Sequence, residues 1–267
     1  MDIPAKRWFD AISVRRSRRH FDGRQINAAV FAALERVCRD FVPFPEARAI
    51  LVGMPPDDVL RGAVGTYGKI KGAPAFIAFV GSMDSAHVQE TTGYTGEGIV
   101  LEATALQLDT CWVGGFFRPE AAAEAVGITR PEHVLAVCPI GYARNDWSLE
   151  ERIMTGFGRS HRRKPLEEIV TGLPEVQWPP WVKPAVEAAR LAPSAVNRQP
   201  WRFHIGDQSI TVSVDNLKDS YKISKRLDCG IAMLHIETAC RTGGVGGTWE
   251  IFDPPVVGRF TVDKVKV

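Results

Sequence analysis

Four arginines and a serine occupy five consecutive positions, Arg15-Arg16-Ser17-Arg18-Arg19. Guanidinium groups packed this closely repel one another unless an anion or several carboxylates sit among them. A compact phosphate would satisfy them, taking charge-assisted bonds from the forked guanidinium donors and another from the hydroxyl. The residues alone leave three readings open: a solvated basic face, a nucleic-acid or localisation patch, and a specific phosphate site. Nothing elsewhere in the chain extends the patch with interleaved aromatics, which counts against nucleic acid.

A second stretch, Leu191-Ala-Pro-Ser-Ala-Val-Asn-Arg-Gln-Pro-Trp201, reads as a rigid polar platform. Pro193 and Pro200 fix φ and remove backbone donors, while Ser194, Asn197 and Gln199 supply short polar side chains between them. A third, Val113-Gly114-Gly115, lets a backbone come close to a flat ligand and present N–H donors; an ordinary turn after a buried strand is the alternative.

Several elements must hold these stretches. Trp8 to Val14 reads as a turn or two of helix leading into the arginine run. Asn27 to Arg39 is a capped amphipathic helix with Val30, Leu34, Val37 and Cys38 on one side, followed by a strand from Ala49 to Gly53. Apolar strands are expected at Ala75 to Val80 and Val134 to Ile140, with helices at about Gly98 to Leu108 and at Pro119 to Val126. Val182 to Leu191 forms an amphipathic helix that ends before Pro193, and Trp201 to Ile205 alternates as a half-buried strand does. Lys69 or Lys71 could approach the polar side of a ligand, although exposed lysines before a strand commonly have no such role.

With 267 residues, 45% of them hydrophobic and 24% charged, the chain can bury a substantial core in one large domain or two smaller ones. A net charge of +2 gives no bulk argument for nucleic acid or membrane. No stretch approaches a transmembrane length and the first residues lack a signal-peptide core, so a cytoplasmic location is expected. Five cysteines, without a Cys-x-x-Cys pair, suggest neither a disulfide framework nor a zinc cluster.

The run Ala-Pro-Ser-Ala-Val-Asn-Arg-Gln-Pro-Trp resembles the signature loop of the nitroreductase-like FMN-dependent oxidoreductases, and Arg-Arg-Ser-x-Arg-x-Phe resembles that family's amino-terminal motif. The resemblance implies that Arg15, Arg16, Ser17 and Arg19 hold the FMN phosphate, with Arg18 pointing elsewhere. It implies further that Pro193, Ser194 and Asn197 lie against the flavin ring, and that a backbone N–H within Val113, Gly114 and Gly115 meets the ring's N5. Family members also place a basic pair on the phosphate just before a late proline; Arg163 is the best match and His161 a weaker one, while Arg159, Arg162 and Lys164 read as solvated linker charge. The chain departs from the family after its first long helix, where Phe41-Val-Pro-Phe-Pro-Glu-Ala-Arg48 replaces the Ser/Asn loop.

Gly98-Ile99 is followed fifteen residues on by Val113-Gly114-Gly115, and Gly230-Ile231 is followed at the same spacing by Val245-Gly246-Gly247, 132 residues further along the chain. This points to an internal duplication. The expected fold is α+β, with two related lobes in one chain mimicking the family dimer: residues 1–148, a linker over 149–180, and residues 181–267. Each half keeps one of the two motifs, so one FMN per chain between the lobes is expected, in a monomer that is a pseudo-dimer.

The function this implies is electron transfer from NADH or NADPH to a small-molecule acceptor such as a nitroaromatic or quinone, with no nucleic acid or membrane partner and no acid–base residue. The missing Gly-x-Gly-x-x-Gly fingerprint agrees with a nicotinamide that stacks only transiently. The alternatives are a non-catalytic flavin carrier or sensor with its open face blocked, for instance by Trp178 or Trp181, an anion- or nucleic-acid-binding module without flavin, and a different flavin reaction such as dehalogenation or flavin destruction.

Overall fold

The computed structural model describes residues 1–61, 70–144, 162–218 and 222–263. Helix α1 (Ala5–Val14) buries Trp8, Ala11 and Ile12 and delivers the chain into the arginine run. In α2 (Ala28–Asp40) the Asn27 side chain accepts from the Ala29 N–H at 2.9 Å, the N-cap bond that the sequence calls for, and Leu34, Val37 and Cys38 turn inward. Then follow β1 (Ala47–Val52), the short α3 (Asp57–Leu60), β2 (Ala75–Ser82), the long α4 (Val88–Ala105), β3 (Asp109–Thr110), α5 (Pro119–Val126) and β4 (Glu132–Gly141). These strands form an antiparallel sheet of order β1-β2-β4-β3. Strand β2 is buried on both faces: Ile77 and Phe79 face the main core, while Phe76, Ala78 and Val80 join Ala122 of α5 in a second, smaller one. That explains its unbroken apolar run.

The second half has α6 (Leu166–Ile169), β5 (Val170–Gly172), α7 (Val182–Arg190), β6 (Trp201–Ile205), β7 (Ser209–Val214), α8 (Lys225–Thr242), β8 (Gly247–Ile251) and β9 (Val256–Val262). Its sheet runs β5-β6-β7-β9-β8. The last four strands repeat the order of the first sheet, element for element in chain order. Strand β5, inside the stretch expected to link the halves, adds a parallel edge to β6. Trp201, Phe203 and Ile205 of β6 point inward in the alternation that the sequence predicts. One continuous core joins both halves, with Trp8, Trp201, Phe79, Phe203 and Phe260 fully buried. Each such side chain contributes about 1.5–3 kcal/mol.

Helices α4 and α8 pack against each other at the centre. Both have 18 residues, and their glycines set the approach. A Cβ on Gly93 would stand 2.1 Å from the Leu227 carbonyl oxygen, and one on Gly230 would stand 1.9 Å from that of Glu90. The contact is reciprocal, because each glycine meets the residue three before the other. This pairs Gly230 with Gly93, 137 positions earlier, and not with Gly98. That offset differs by five from the 132-residue spacing of the Gly-Ile segments in the sequence, and Val245-Gly246-Gly247 leads into β8 as Leu108-Asp109-Thr110 leads into and forms β3.

Candidate functional site

The arginine run leaves α1 extended and lies beside the end of β3: Ser17 bridges Thr110 in parallel, and the Arg18 N–H donates to the Thr110 carbonyl at 2.9 Å. Arg15 is buried, yet its Nε and Nη1 find no hydrogen-bond acceptor among the described residues. Burial pushes its pKa down, Glu97 at 4.0 Å opposes this, and Arg16 adds to it. Arg16 is exposed and folds Nη1 back onto the carbonyls of Ser13 and Arg15. Arg18 turns away, donating Nη2 to the Arg144 carbonyl at 2.6 Å. The Arg19 carbonyl accepts from the Lys71 N–H at 2.9 Å, which sets Lys71 beside the run. Lys69, Arg159 and His161 lie outside the described residues.

Arg163 joins the two motifs. Its Nη1 donates to Asn197 Oδ1 in a short contact, and its Nη2 donates to the Leu191 carbonyl at 3.1 Å. Burial, then the like charges of Arg15, Arg16 and Arg190, push it down to about 10, so it remains charged at neutral pH. Arg163 is thus bonded to the loop of the second half and lies within electrostatic reach of Arg15 and Arg16, whose like charges repel its own. An anion such as a phosphate would relieve such repulsion.

The loop is held in an uncommon shape. Val196, Asn197 and Gln199 adopt φ of 52°, 55° and 49°, the left-handed region that branched residues such as valine avoid. Buried Pro193 and Pro200 flank this turn. Ser194 Oγ accepts from the Gln199 N–H at 3.0 Å, so it closes the loop from within. Gln199 accepts from the Lys164 N–H at 2.8 Å and donates to the Arg162 carbonyl at 3.0 Å, and Asn197 Nδ2 donates to that same carbonyl. Arg162 and Lys164, expected as solvated linker charge, therefore brace the loop through their backbones, and Lys164 Nζ adds a bond to the Gln199 carbonyl at 3.1 Å.

Asp228 of α8, which the sequence reading passed over, anchors the loop from below. Its Oδ1 accepts from the Ala195 N–H at 3.1 Å and its Oδ2 from Arg198 Nε at 2.7 Å, and Asp228 is only 2% exposed. Read alone, an aspartate in a first helical turn signals nothing beyond the helix dipole. Across from the loop, Val113 exchanges both backbone hydrogen bonds with Val137, so its N–H is committed. The N–H groups of Gly114 and Gly115 find no acceptor among the described residues. Gly114 approaches Ile223, where a Cβ would come within 3.3 Å of Cγ2, and the Ile223 carbonyl in turn accepts from Arg198 Nη1 at 3.0 Å. Segment 113–115 is thereby tied to the loop 191–199 through Ile223 and Arg198. Trp178 donates Nε1 to the Leu173 carbonyl at 2.7 Å, and it and Trp181 pack against the core.

Among the described residues no group of His, Cys, Asp and Glu side chains could hold a metal ion, and no helix is long and apolar enough to cross a membrane. A family model described as "Putative TM nitroreductase" matches residues 8–240. No protein with a curated description matches the chain in sequence. Among solved structures, one described as a "putative nitroreductase" of Thermotoga maritima is 20% identical over 96% of this chain and 93% of its own, with a TM-score of 0.65, a likeness of fold that takes in both halves. A nitroreductase family protein of Clostridium difficile is 20% identical over 62% of this chain and 96% of its own, with a TM-score of 0.45. A nitroreductase with bound FMN from Bacteroides fragilis is 17% identical over 53% of this chain and 91% of its own, with a TM-score of 0.43.

Proposed function

From the premise that this chain belongs to the nitroreductase family, we propose that it is an FMN-dependent oxidoreductase that takes electrons from NADH or NADPH and passes them to a small acceptor such as a nitroaromatic or a quinone. The observation that carries this reading is Arg163, bonded to Asn197 of the loop and within electrostatic reach of Arg15 and Arg16 far earlier in the chain. The residues fit the cofactor. Arg15 Nε and Nη1 are buried donors without an acceptor among the described residues, which a phosphate would supply. Arg16, Ser17, Arg19 and Arg163 complete the phosphate set.

The ring would lie between the Pro193 to Asn197 loop and the 113–115 backbone. Because the Val113 N–H is spent on Val137, Gly114 and Gly115 are left as the donors toward N5. When bound, FMN supplies hydride acceptance and delivery. The chain's part is to bind and orient: the strained loop is pre-organised by Asp228 and Gln199, and the glycines allow close backbone approach. The matching strand orders of the two sheets support two lobes related by internal duplication, spanning 1–148 and 181–267. Only one pair of complementary motifs survives, hence one FMN per chain and a monomer that is a pseudo-dimer.

The test is the visible absorption spectrum of the purified protein before and after anaerobic addition of NADPH or NADH. A flavin spectrum that bleaches is the expected result, and Arg16 or Asn197 substitutions then weaken flavin binding. A spectrum that persists would point to a carrier or sensor. Absence of flavin, with no binding of added FMN, would overturn the reading.

A further inference from the structure

Glu97 of α4 is fully buried between Gly96 and Gly98. Its Oε2 accepts from Trp112 Nε1 at 2.7 Å, and its Oε1 lies 2.9 Å from His235 Nε2 on α8 and 4.0 Å from Arg15 Nε. His235 is buried too, and its Nδ1 lies 2.8 Å from the Ala188 carbonyl. A carbonyl can only accept, so Nδ1 donates to it, and Nε2 must likewise donate to engage the Glu97 carboxylate at Oε1.

Each partner belongs to a different segment of the site. Trp112 immediately precedes Val113-Gly114-Gly115, Ala188 sits near the end of α7 where the 191–199 loop begins, and Arg15 opens the arginine run. Among the described residues Glu97 is the only carboxylate within ion-pair reach of Arg15, whereas Arg16 lies close with like charge. Its oxygens are engaged by Trp112 and His235 and make no hydrogen bond to the guanidinium, although they lie close enough to stabilise its charge.

We propose that Glu97 is a positioning residue for the phosphate of FMN, an inference that rests on the FMN reading above. It holds Arg15 in its buried place by charge, while Trp112 and His235 keep its oxygens from occupying Arg15 Nε and Nη1, so both donors stay available to the anion. Without that carboxylate a buried guanidinium beside Arg16 loses its counter-charge and swings away from the site.

FMN and riboflavin differ only by the phosphate, so the ratio of their affinities reports this role and a general loss of structure does not move it. Both are titrated against the wild type, Glu97→Gln, Glu97→Asp and Arg15→Gln by quenching of flavin fluorescence. Glu97→Gln is expected to lower the FMN preference by about tenfold or more, the scale of one charge-assisted contact. Riboflavin affinity should be unchanged, and the substitution should add nothing in the Arg15→Gln background. Glu97→Asp keeps the charge but draws it back, and falls between wild type and Glu97→Gln. An unchanged or raised preference, or equal weakening of both ligands, overturns the positioning role. Should Glu97→Gln fail to fold, Glu97→Asp decides alone: a lowered preference with riboflavin affinity intact supports the role, and an unchanged preference overturns it. A wild type that binds both flavins equally, or neither, removes the FMN reading itself and this inference with it.

Discussion

Replacing Gly230 by alanine sets two opposing effects against each other at the crossing of the two central helices. In an isolated helix the change stabilises by about 1 kcal/mol, because alanine loses less backbone entropy than glycine. Here the new Cβ would stand 1.9 Å from the Glu90 carbonyl oxygen and 2.7 Å from its carbon, backbone atoms of a long helix with no rotamer to change. The helices must separate by well over an ångström, which opens the core that both halves share. Overpacking costs about 1–3 kcal/mol where side chains can yield, and a backbone clash belongs at or above the top of that range. The cost wins, for a net loss of about 2 kcal/mol or more. At about 2–4 °C per kcal/mol for a chain of this size, the thermal midpoint falls by roughly 4–8 °C. Calorimetry of wild type and Gly230→Ala measures it, with urea unfolding at constant slope as the check. FMN affinity should drop with it, since α8 also carries Asp228 and His235. A midpoint that is unchanged or raised would refute the helix approach described here, and the paired registers of Gly93 and Gly230 with it.

Other consequences follow from single contacts. Asp228→Asn removes the charge that holds Arg198 in a nearly buried pair and should cost about 3 kcal/mol in thermal or urea unfolding, with weaker FMN binding as the 195–198 turn loosens. Arg163→Gln should weaken FMN far more than riboflavin in a fluorescence titration, because it takes a charge from the phosphate set. Saturating FMN at about a hundred times its dissociation constant should add about 2.7 kcal/mol and raise the midpoint by roughly 5–11 °C, seen by comparing apoprotein with loaded protein. All five cysteines are buried, with Cys38 and Cys240 pushed up to about 12 chiefly by desolvation and Cys138 and Cys229 raised for the same reason, so a thiol reagent at pH 8 should react with them only on unfolding.

The sequence was most legible where local chemistry decides the backbone. The Asn27 cap, the Pro119 helix start and the alternation from Trp201 to Ile205 each predict what the chain does. Helix α4 was misread at its start: it begins at Val88, ten residues before the expected Gly98, because Thr91, Thr92, Gly93, Thr95 and Gly96 are poor helix formers when read alone. Tertiary packing overrides that propensity, and the glycine that argues against a helix is what lets α8 come close. The 132-residue spacing rests on common Gly and Val residues, whereas the reciprocal contacts of Gly93 and Gly230 relate the two helices at 137. At the site, the arginine run and the Pro193 to Asn197 loop could be picked out by residue type. Their supports could not, because Asp228, Glu97 and His235 act through partners far away in the chain. One signal was there to be used: a glutamate between two glycines, within a stretch that is otherwise uncharged from Thr91 to Leu101, must meet a partner if the helix is buried.

The central claim, one cofactor site built from both halves of one chain, is tested most directly by titrating apoprotein of known concentration with FMN and reading the stoichiometry at the endpoint. One FMN per 29.4 kDa chain is expected, in a protein that sediments as a monomer. Two FMN per chain, or one shared between two chains, would contradict it.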